Sequence, residues 1–294
     1  MLHTKTMGIR GAFTTLKKAF DIIDPLKLDP KLKIGIDMFS LVYTHRANLD
    51  DLINLIKSWS SYGHTVICIW DGSAPKEKQE IIGQRRDARN SAMDHKHDLE
   101  EYLANFGKEL NETDIKNLKA AISSLSWQGW HLSGSLKREI QGTLSTAEHI
   151  YAPGEADDLL IEMLMKKSID TIVSLDSDMI GMGGQRLWRL LRIRKSWVIE
   201  DISVEKVCTV LNISLSMLQD ACFLAGWDRC HLDAKQYMPF DVALNRIKHY
   251  EGLSVVIEKF LKDTSIDPEA FDRLKVIKKE SKERWVTIMN ERRL

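Results

Sequence analysis

Long apolar runs are missing from this 294-residue chain. Charged residues interrupt every apolar stretch well short of the roughly 20 residues that cross a bilayer, so no transmembrane helix is expected. No apolar segment near the start reaches the length of a signal-peptide core, so a soluble, intracellular protein, nuclear or cytoplasmic, is expected. Cysteine is sparse: Cys68, Cys208, Cys222 and Cys230, none of them in a C-x-x-C pair. That spacing, with scattered histidines, does not suit zinc and predicts buried, reduced thiols. Net charge is also missing, with 42 basic and 42 acidic residues. A protein that simply coats nucleic acid would be strongly basic. Internal repeats and low-complexity linkers are absent as well.

What the chain does have is a 44% hydrophobic composition, enough for one large domain or two small ones. Its balanced charge is segregated. Basic residues gather over 76–89, 186–195 and 275–293, whereas acids sit at the ends of apolar strand-like runs. Such runs alternate with helical patterns, which predicts an α/β fold with a mostly parallel sheet. Leu32 to Asp37 reads as a first strand, followed by a helix capped by Asn48 or Asp50 that carries Leu52, Ile53, Leu55, Ile56 and Trp59. Thr65 to Trp70 is nearly continuous in apolar residues, as a strand buried on both faces requires. Pro75 to Ser126 is polar and charge-rich, and reads as a helical insertion projecting from the sheet. A helix follows from Ser133 to about Glu148, then a short extended piece at His149 to Ala152. Pro153-Gly154 opens the next helix, which ends near Lys167. Thr171 to Leu175 is a strand, Leu187 to Ile199 holds two more, and the chain is helical from Ser203 onward, with Ser214 capping a run that reaches Gly226.

The chemistry lies in where the acids fall. Ile36-Asp37, Trp70-Asp71-Gly72, Glu155-Ala156-Asp157, Asp176-Ser177-Asp178 and Trp227-Asp228 each follow an apolar strand or helix. Ligand sites in parallel sheets lie beyond the carboxyl ends of the strands, so these acids converge on one cleft. One aspartate at a strand end is ordinarily a turn or cap residue. Repeated placement of acids at the same topological position calls instead for cations. Oxygen-only ligands suit Mg²⁺, with Mn²⁺ able to substitute. Two such ions about 3.5–4 Å apart can activate water and stabilise a leaving oxygen in phosphodiester hydrolysis. Residues i and i+2 do not face one another on a helix, so Glu155 and Asp157 share a site only if Glu155 lies in the turn entering it. The alternative pair is Glu155 with Asp158. Pro153-Gly154 favours the turn.

With those blocks in order, the chain resembles the flap endonuclease (XPG-type, PIN-like) 5′-nuclease family from Met7 to about Arg246. Met7-Gly8-Ile9-Arg10-Gly11 is similar to the family's start, and the acidic blocks follow in the family's order. The resemblance implies a PIN-like nuclease core over 7–230, with residues 75–126 as a helical arch and a helical C-terminal region over 231–294. It implies a first metal at Asp37, Asp71, Glu155 and Asp157, and a second at Asp176, Asp178 and Asp228. It implies Lys78 and Arg85 as the catalytic cations clamping the scissile phosphate. Gly8, Arg10, Arg86, Arg89, Arg192 and Arg194 would meet nucleic acid. The activity implied is two-metal cleavage of DNA carrying a 5′ flap or other branch, as endonuclease or 5′-3′ exonuclease, by a monomer in replication, repair or recombination. The short stretch from Asp37 to Asp71 and the segment from Trp59 through Arg86 look similar to poxvirus flap-endonuclease-like proteins. Two acidic blocks also resemble the herpesvirus host-shutoff nucleases, which makes RNA an alternative substrate. A third reading is a non-cutting scaffold for branched DNA. Cys230 to Met238 departs from the family's helix–two-turn–helix segment in having no glycine, and no clamp-binding motif with paired aromatics ends the chain.

Arg186, Trp188, Arg189, Arg192, Arg194, Lys195 and Trp197 interleave cations with aromatics. Phosphate and base contacts would use them in that way. Two amphipathic strands with buried tryptophans would show the same pattern, and both readings stay open. Trp127 and Trp130, flanking Gly129, read as packing residues.

Overall fold

The computed structural model describes the chain except residues 1–7, 10, 30, 74–78, 228–236, 251, 261–271, 273, 280–281 and 284–294. Its centre is a seven-stranded sheet built from β1 (Asp21–Ile23), β2 (Lys33–Asp37), β3 (Thr65–Trp70), β4 (Glu148–Tyr151), β5 (Thr171–Val173), β6 (Arg186–Ile193) and β7 (Ser196–Ser203). The spatial order is β1-β7-β6-β5-β2-β3-β4. Strands β6, β5, β2, β3 and β4 run parallel, while β7 pairs antiparallel with β6 and with β1. Chain order reverses at β2, which lies between β3 and β5. That crevice is where parallel sheets place ligands.

Side chains alternate across the sheet and build two cores. Along β3, Ile67 and Ile69 face one way and join Leu160, Ile172, Leu187 and Ile202. Val66, Cys68 and Trp70 face the other way and join Ile34, Ile36, Val173, Trp188 and Ile199. Helices α2 (Met38–His45), α3 (Leu49–Ser61) and α6 (Gly134–Thr143) cover the second face. The first face lies under α1 (Ala12–Leu16), α7 (Ala156–Met165), α8 (Asp178–Gly181), α9 (Val204–Leu211), α10 (Leu215–Leu224) and α11 (Phe240–Tyr250). Phe240, Ala243, Leu244 and Ile247 of α11 are buried in the same core as Phe223 and Trp227, so no separate core forms after α10 among the described residues. The expected boundary at 230/231 lies outside the described residues. A further helix, α12 (Leu253–Phe260), contributes Leu253 and Val256 to that core.

The charge-rich insertion is a helical hairpin of α4 (Gln79–Phe106) and α5 (Glu112–Gly129) packed against each other. At 1.5 Å per residue, α4 is about 40 Å long. Asn111 caps α5 by accepting from the Asp114 amide at 2.9 Å. Where the hairpin returns, Arg46 stacks over Trp127 and Trp130, and Trp130 meets Tyr43 edge-on, so Trp130 packs as expected whereas Trp127 stays 42% exposed.

Several details differ from the sequence-based reading. Strand β1 was not foreseen, because three residues that include Asp21 carry no pattern. The helix expected to reach Glu148 ends at Thr143, and Glu148 opens β4 instead. Asn48 holds the N-cap position of α3 without a side-chain hydrogen bond there. Cys68 and Cys222 are buried and unbridged, and burial pushes the Cys68 thiol up to about 12. Cys208 is half-buried, its thiol pushed up to about 11. Among the described residues no single helix is long and apolar enough to cross a membrane.

Candidate active site

Four neighbouring parallel strands deliver acids to one edge of the sheet. Asp37 ends β2 and caps α2, its Oδ1 accepting from the Ser40 amide at 3.0 Å. An aspartate suits that position, since its carboxylate accepts an amide that the helix leaves unsatisfied. Asp71 follows β3 directly, and its Oδ1 accepts the Ala156 amide at 2.7 Å. Glu155 occupies the N-cap of α7 with an extended backbone, so it lies in the turn as expected, and Asp157 sits in the first helical turn. After β5, the Asp176 Oδ1 accepts the Asp178 amide at 3.0 Å, and Asp178 opens α8 with its side chain buried.

Serines bind the two halves of this edge together. Ser174 donates its hydroxyl to Asp37 Oδ2 at 2.9 Å and accepts the Asp176 amide at 3.1 Å. Ser40 accepts the Leu175 amide at 3.0 Å, so α2 and the turn after β5 hold one another in register. Ser177 accepts the Ile9 amide at 2.6 Å. These residues were not singled out from the sequence. A serine beside an aspartate has no distinctive pattern, and its role appears only once β2 and β5 are known to be neighbours.

Two glycines permit close approaches. Gly8 has φ +82°, and a Cβ there would fall 2.4 Å from Asp176 Oδ1 and from Ser177 Oγ. Expected at nucleic acid, Gly8 is thus packed against the Asp176 turn. At Gly72, a Cβ would fall 1.9 Å from the Ala152 carbonyl, and the Gly72 amide donates to the Gly154 carbonyl at 2.8 Å. That contact zips the exits of β3 and β4 and sets Asp71 beside the turn carrying Glu155.

The electrostatic consequence falls on Asp37. Burial, then the charges of Asp71 and Asp176, push its carboxyl up to about 7, against the lowering effect of the Ser40 amide and Ser174 hydroxyl. Asp37, Asp71 and Asp176 therefore share one electrostatic site. Among the described residues no three His, Cys, Asp or Glu side chains form a ready-made metal cage. Mg²⁺ does not need one, because it keeps several waters and takes only one or two carboxylates directly. The donor set fits such an ion: hard carboxylate oxygens, with the proton affinity at Asp37 raised first by burial and then by the neighbouring charges of Asp71 and Asp176.

Exposed cations lie in the segments that follow β3 and β6. Arg85 is exposed on the second turn of α4, with Arg86 and Arg89 on the same early part of the arch. Arg194 is exposed at the turn between β6 and β7, in a left-handed conformation with φ +59°. Arg192, expected at nucleic acid, is instead ion-paired with Asp51, its guanidinium 5.4 Å from the Trp197 ring centroid. Arg186 chelates Asp201, which also accepts the Trp188 indole, and Arg189 pairs with Glu200. The inner part of this run is therefore amphipathic strand, and only its tip presents free surface. Lys78, Arg10 and Asp228 lie outside the described residues.

The sheet order, the acidic carboxyl edge and the projecting helical hairpin define a PIN-like nuclease fold. Residues 147–228 match the model of the XPG I-region. The chain is 23% identical over 206 residues to flap endonuclease 1 of Theileria parva, covering 70% of this chain and 39% of that protein. It is 23% identical over 207 residues to flap endonuclease 1 of Zea mays, covering 69% of this chain and 50% of that protein. The chain thus spans half or less of the length of these relatives. Among solved structures, the catalytic core of Rad2 superposes with a TM-score of 0.59 at 17% identity, covering 96% of this chain and 79% of that one. Flap endonuclease-1 from Methanococcus jannaschii gives 0.53 at 20% identity, with 88% and 81% covered.

Proposed function

We propose that this chain is a Mg²⁺-dependent, structure-specific 5′ nuclease that hydrolyses phosphodiester bonds in DNA carrying a 5′ flap or another branch. The observation that carries the reading is the shared site of Asp37, Asp71 and Asp176, with the Asp37 carboxyl pushed up to about 7. Acids assembled on several strand ends and left to repel one another destabilise a fold, and a non-cutting scaffold gains nothing from them. The XPG I-region match, the flap endonuclease relatives and the likeness to a Rad2 core solved with DNA substrate all support the same reading.

Asp37, Asp71, Glu155 and Asp157 would surround one ion, and Asp176, Asp178 and Asp228 a second, one or two carboxylates binding each ion directly and the rest through its waters, with Mn²⁺ able to substitute. When bound, the ions supply an activated water and neutralise charge on the leaving 3′ oxygen. The chain's own residues do the positioning. Ser174 and Ser40 hold Asp37 and the Asp176 turn in register. The Ala156 amide orients Asp71 toward the Glu155 turn. Arg85, with Lys78, steadies the scissile phosphate from the base of the arch. Monomeric action inside the cell, in replication, repair or recombination, belongs to this proposal. So does the likeness to compact viral members, which rests on the short span from Asp37 to Asp71.

The test is cleavage of labelled 5′-flap DNA, 3′-flap DNA, plain duplex and single-stranded RNA, with Mg²⁺ or EDTA, by the wild type and Asp176→Asn. Metal-dependent cutting near the base of the 5′ flap is expected, falling at least about a hundredfold in the variant while flap binding persists. Cutting of RNA alone would move the protein to the RNA-endonuclease reading. Tight flap binding with no cutting of any substrate would leave a scaffold.

A further inference from the structure

Beside the carboxylates lies a second constellation that the cleavage chemistry does not use. Lys137, on the first half of α6, places its ammonium 4.2 Å from the Tyr151 ring centroid, 4.6 Å from that of Trp70 and 5.3 Å from that of Phe39. Each of these rings is tied to an acidic segment. Phe39 is two residues past Asp37, and Trp70 immediately precedes Asp71. Tyr151 pairs in register with Trp70 and lies four residues before Glu155. The cage therefore stands at the same carboxyl edge of the sheet, on the side away from β5.

Its parts differ in what they are free to do. Trp70 is fully buried, and its indole donates to His149 Nδ1 at 3.2 Å. Phe39 is half-buried and packs edge-on against Trp70. Tyr151 is 54% exposed, its hydroxyl held by the Gln141 amide at 2.9 Å. Lys137 is half-buried, and no carboxylate pairs with it among the described residues. Cation–π contact holds an ammonium in place while leaving its N–H groups able to donate outward. A fixed cation with no carboxylate partner among the described residues, next to a half-exposed aromatic ring, matches one repeat of a nucleic-acid strand, a phosphate followed by a base.

Resting on the nuclease reading above, we propose that Lys137 and Tyr151 form a single-nucleotide subsite. Lys137 takes a backbone phosphate and Tyr151 stacks the adjoining base of a single strand running beside the carboxylates. Stacking requires an open base face, which a duplex interior does not offer, so the subsite selects single-stranded character. These are positioning residues, since they contact substrate away from the reacting atoms.

The experiment measures fluorescence anisotropy of a 5′-phosphorylated, 3′-labelled oligo-dT of about ten nucleotides, within the usual span of single-strand sites. It is run in EDTA with the full chain, in parallel with flap cleavage in Mg²⁺. Lys137→Met keeps the aliphatic packing and removes the charge. It should weaken binding about tenfold and reduce the slope of log K against log salt by about 0.7, the value for one phosphate on a single strand. Lys137→Arg should restore most of the affinity. Tyr151→Ala should weaken binding about tenfold or more, while Tyr151→Phe stays within about twofold. Blunt duplex binding should be unchanged throughout. Equal affinity and salt slope for Lys137→Met and the wild type would overturn the subsite, as would an equal loss on blunt duplex. In either case wild-type flap cleavage leaves the nuclease reading standing. If the wild type neither cuts nor binds nucleic acid, both fall together.

Discussion

Replacing Asp37 with asparagine should make the metal-free protein more stable, although Asp37 belongs to the proposed active site. The Asp37 carboxyl rises from its ordinary 3.8 to about 7, first because it is buried and then because Asp71 and Asp176 repel its charge. Above pH 7 the group is forced to ionise in that setting, at a cost on the order of 4 kcal/mol relative to the unfolded chain. Between about pH 4 and 7 the folded chain holds a proton that the unfolded chain has released, so stability falls as pH rises through that window. Asparagine carries no charge, but it fits less well to the paired donors at Ser40 and Ser174, a loss of about 1 kcal/mol. The net gain at pH 8 is then about 3 kcal/mol. For a chain of this size that raises Tm by roughly 5 °C. Differential scanning fluorimetry in EDTA at pH 4.5 and pH 8 reads the effect. The variant should melt above the wild type at pH 8 and at or below it at pH 4.5. Adding Mg²⁺ at pH 8 should narrow the gap, because only the wild type has the full negative charge for the ion to neutralise. A variant less stable than wild type in EDTA at pH 8, or an identical difference at both pH values, would refute the electrostatic argument.

Other expectations follow from single contacts. Gly8→Ala adds a Cβ at positive φ within 2.4 Å of Asp176 Oδ1, so it should cost about 1–2 kcal/mol in thermal unfolding and displace the Asp176 turn enough to lower kcat more than affinity. Asp201→Ala strips the partner from the Arg186 guanidinium and the Trp188 indole, and should destabilise by about 2–3 kcal/mol in urea unfolding. Because that cluster supports the sheet rather than the cleft, kcat on a 5′ flap should stay within about twofold below the unfolding transition. Lys78→Ala combined with Arg85→Ala should lower turnover about a hundredfold or more with a small change in Kd. A change confined to Kd would make the pair substrate contacts only.

The parts of this molecule that were legible in the sequence are those where a local pattern meets a global constraint. The apolar run Thr65 to Trp70 became β3 with both faces buried, since only a central strand needs such a run. The charge-rich span after Asp71 became a projecting hairpin, because it lacks the apolar residues that would fold it back. Acids at strand ends were visible one at a time, and parallel topology put four of those segments on one edge. Arg186 to Trp197 shows the limit. Its interleaved cations and aromatics suited either nucleic acid or an amphipathic hairpin, and partners outside the run, Asp201 and Glu200 on the paired strand and Asp51 far off in the chain, decided between them.

The same limit explains why the scaffolding of the site was invisible. Ser174 can hold Asp37 only because β5 lies against β2, an adjacency created by the reversal of strand order. Ser177 can hold Ile9 only because Gly8 lies against that turn and leaves no side chain in the way. Lys137 reaches Phe39, Trp70 and Tyr151 only because α6 packs into the core face that Trp70 occupies. All but the Lys137–Tyr151 contact join residues far apart in the chain, and none leaves a periodic trace. The carboxylates can be read from sequence because each obeys a rule about its own strand. The residues that aim them depend on which strands are neighbours. Substitutions at Ser174 should therefore reach catalysis through Asp37: Ser174→Ala removes a hydroxyl that lowers the Asp37 carboxyl, so it should shift the acid limb of the cleavage pH profile upward. A profile unchanged in Ser174→Ala would show that the hydroxyl does not tune Asp37 during turnover.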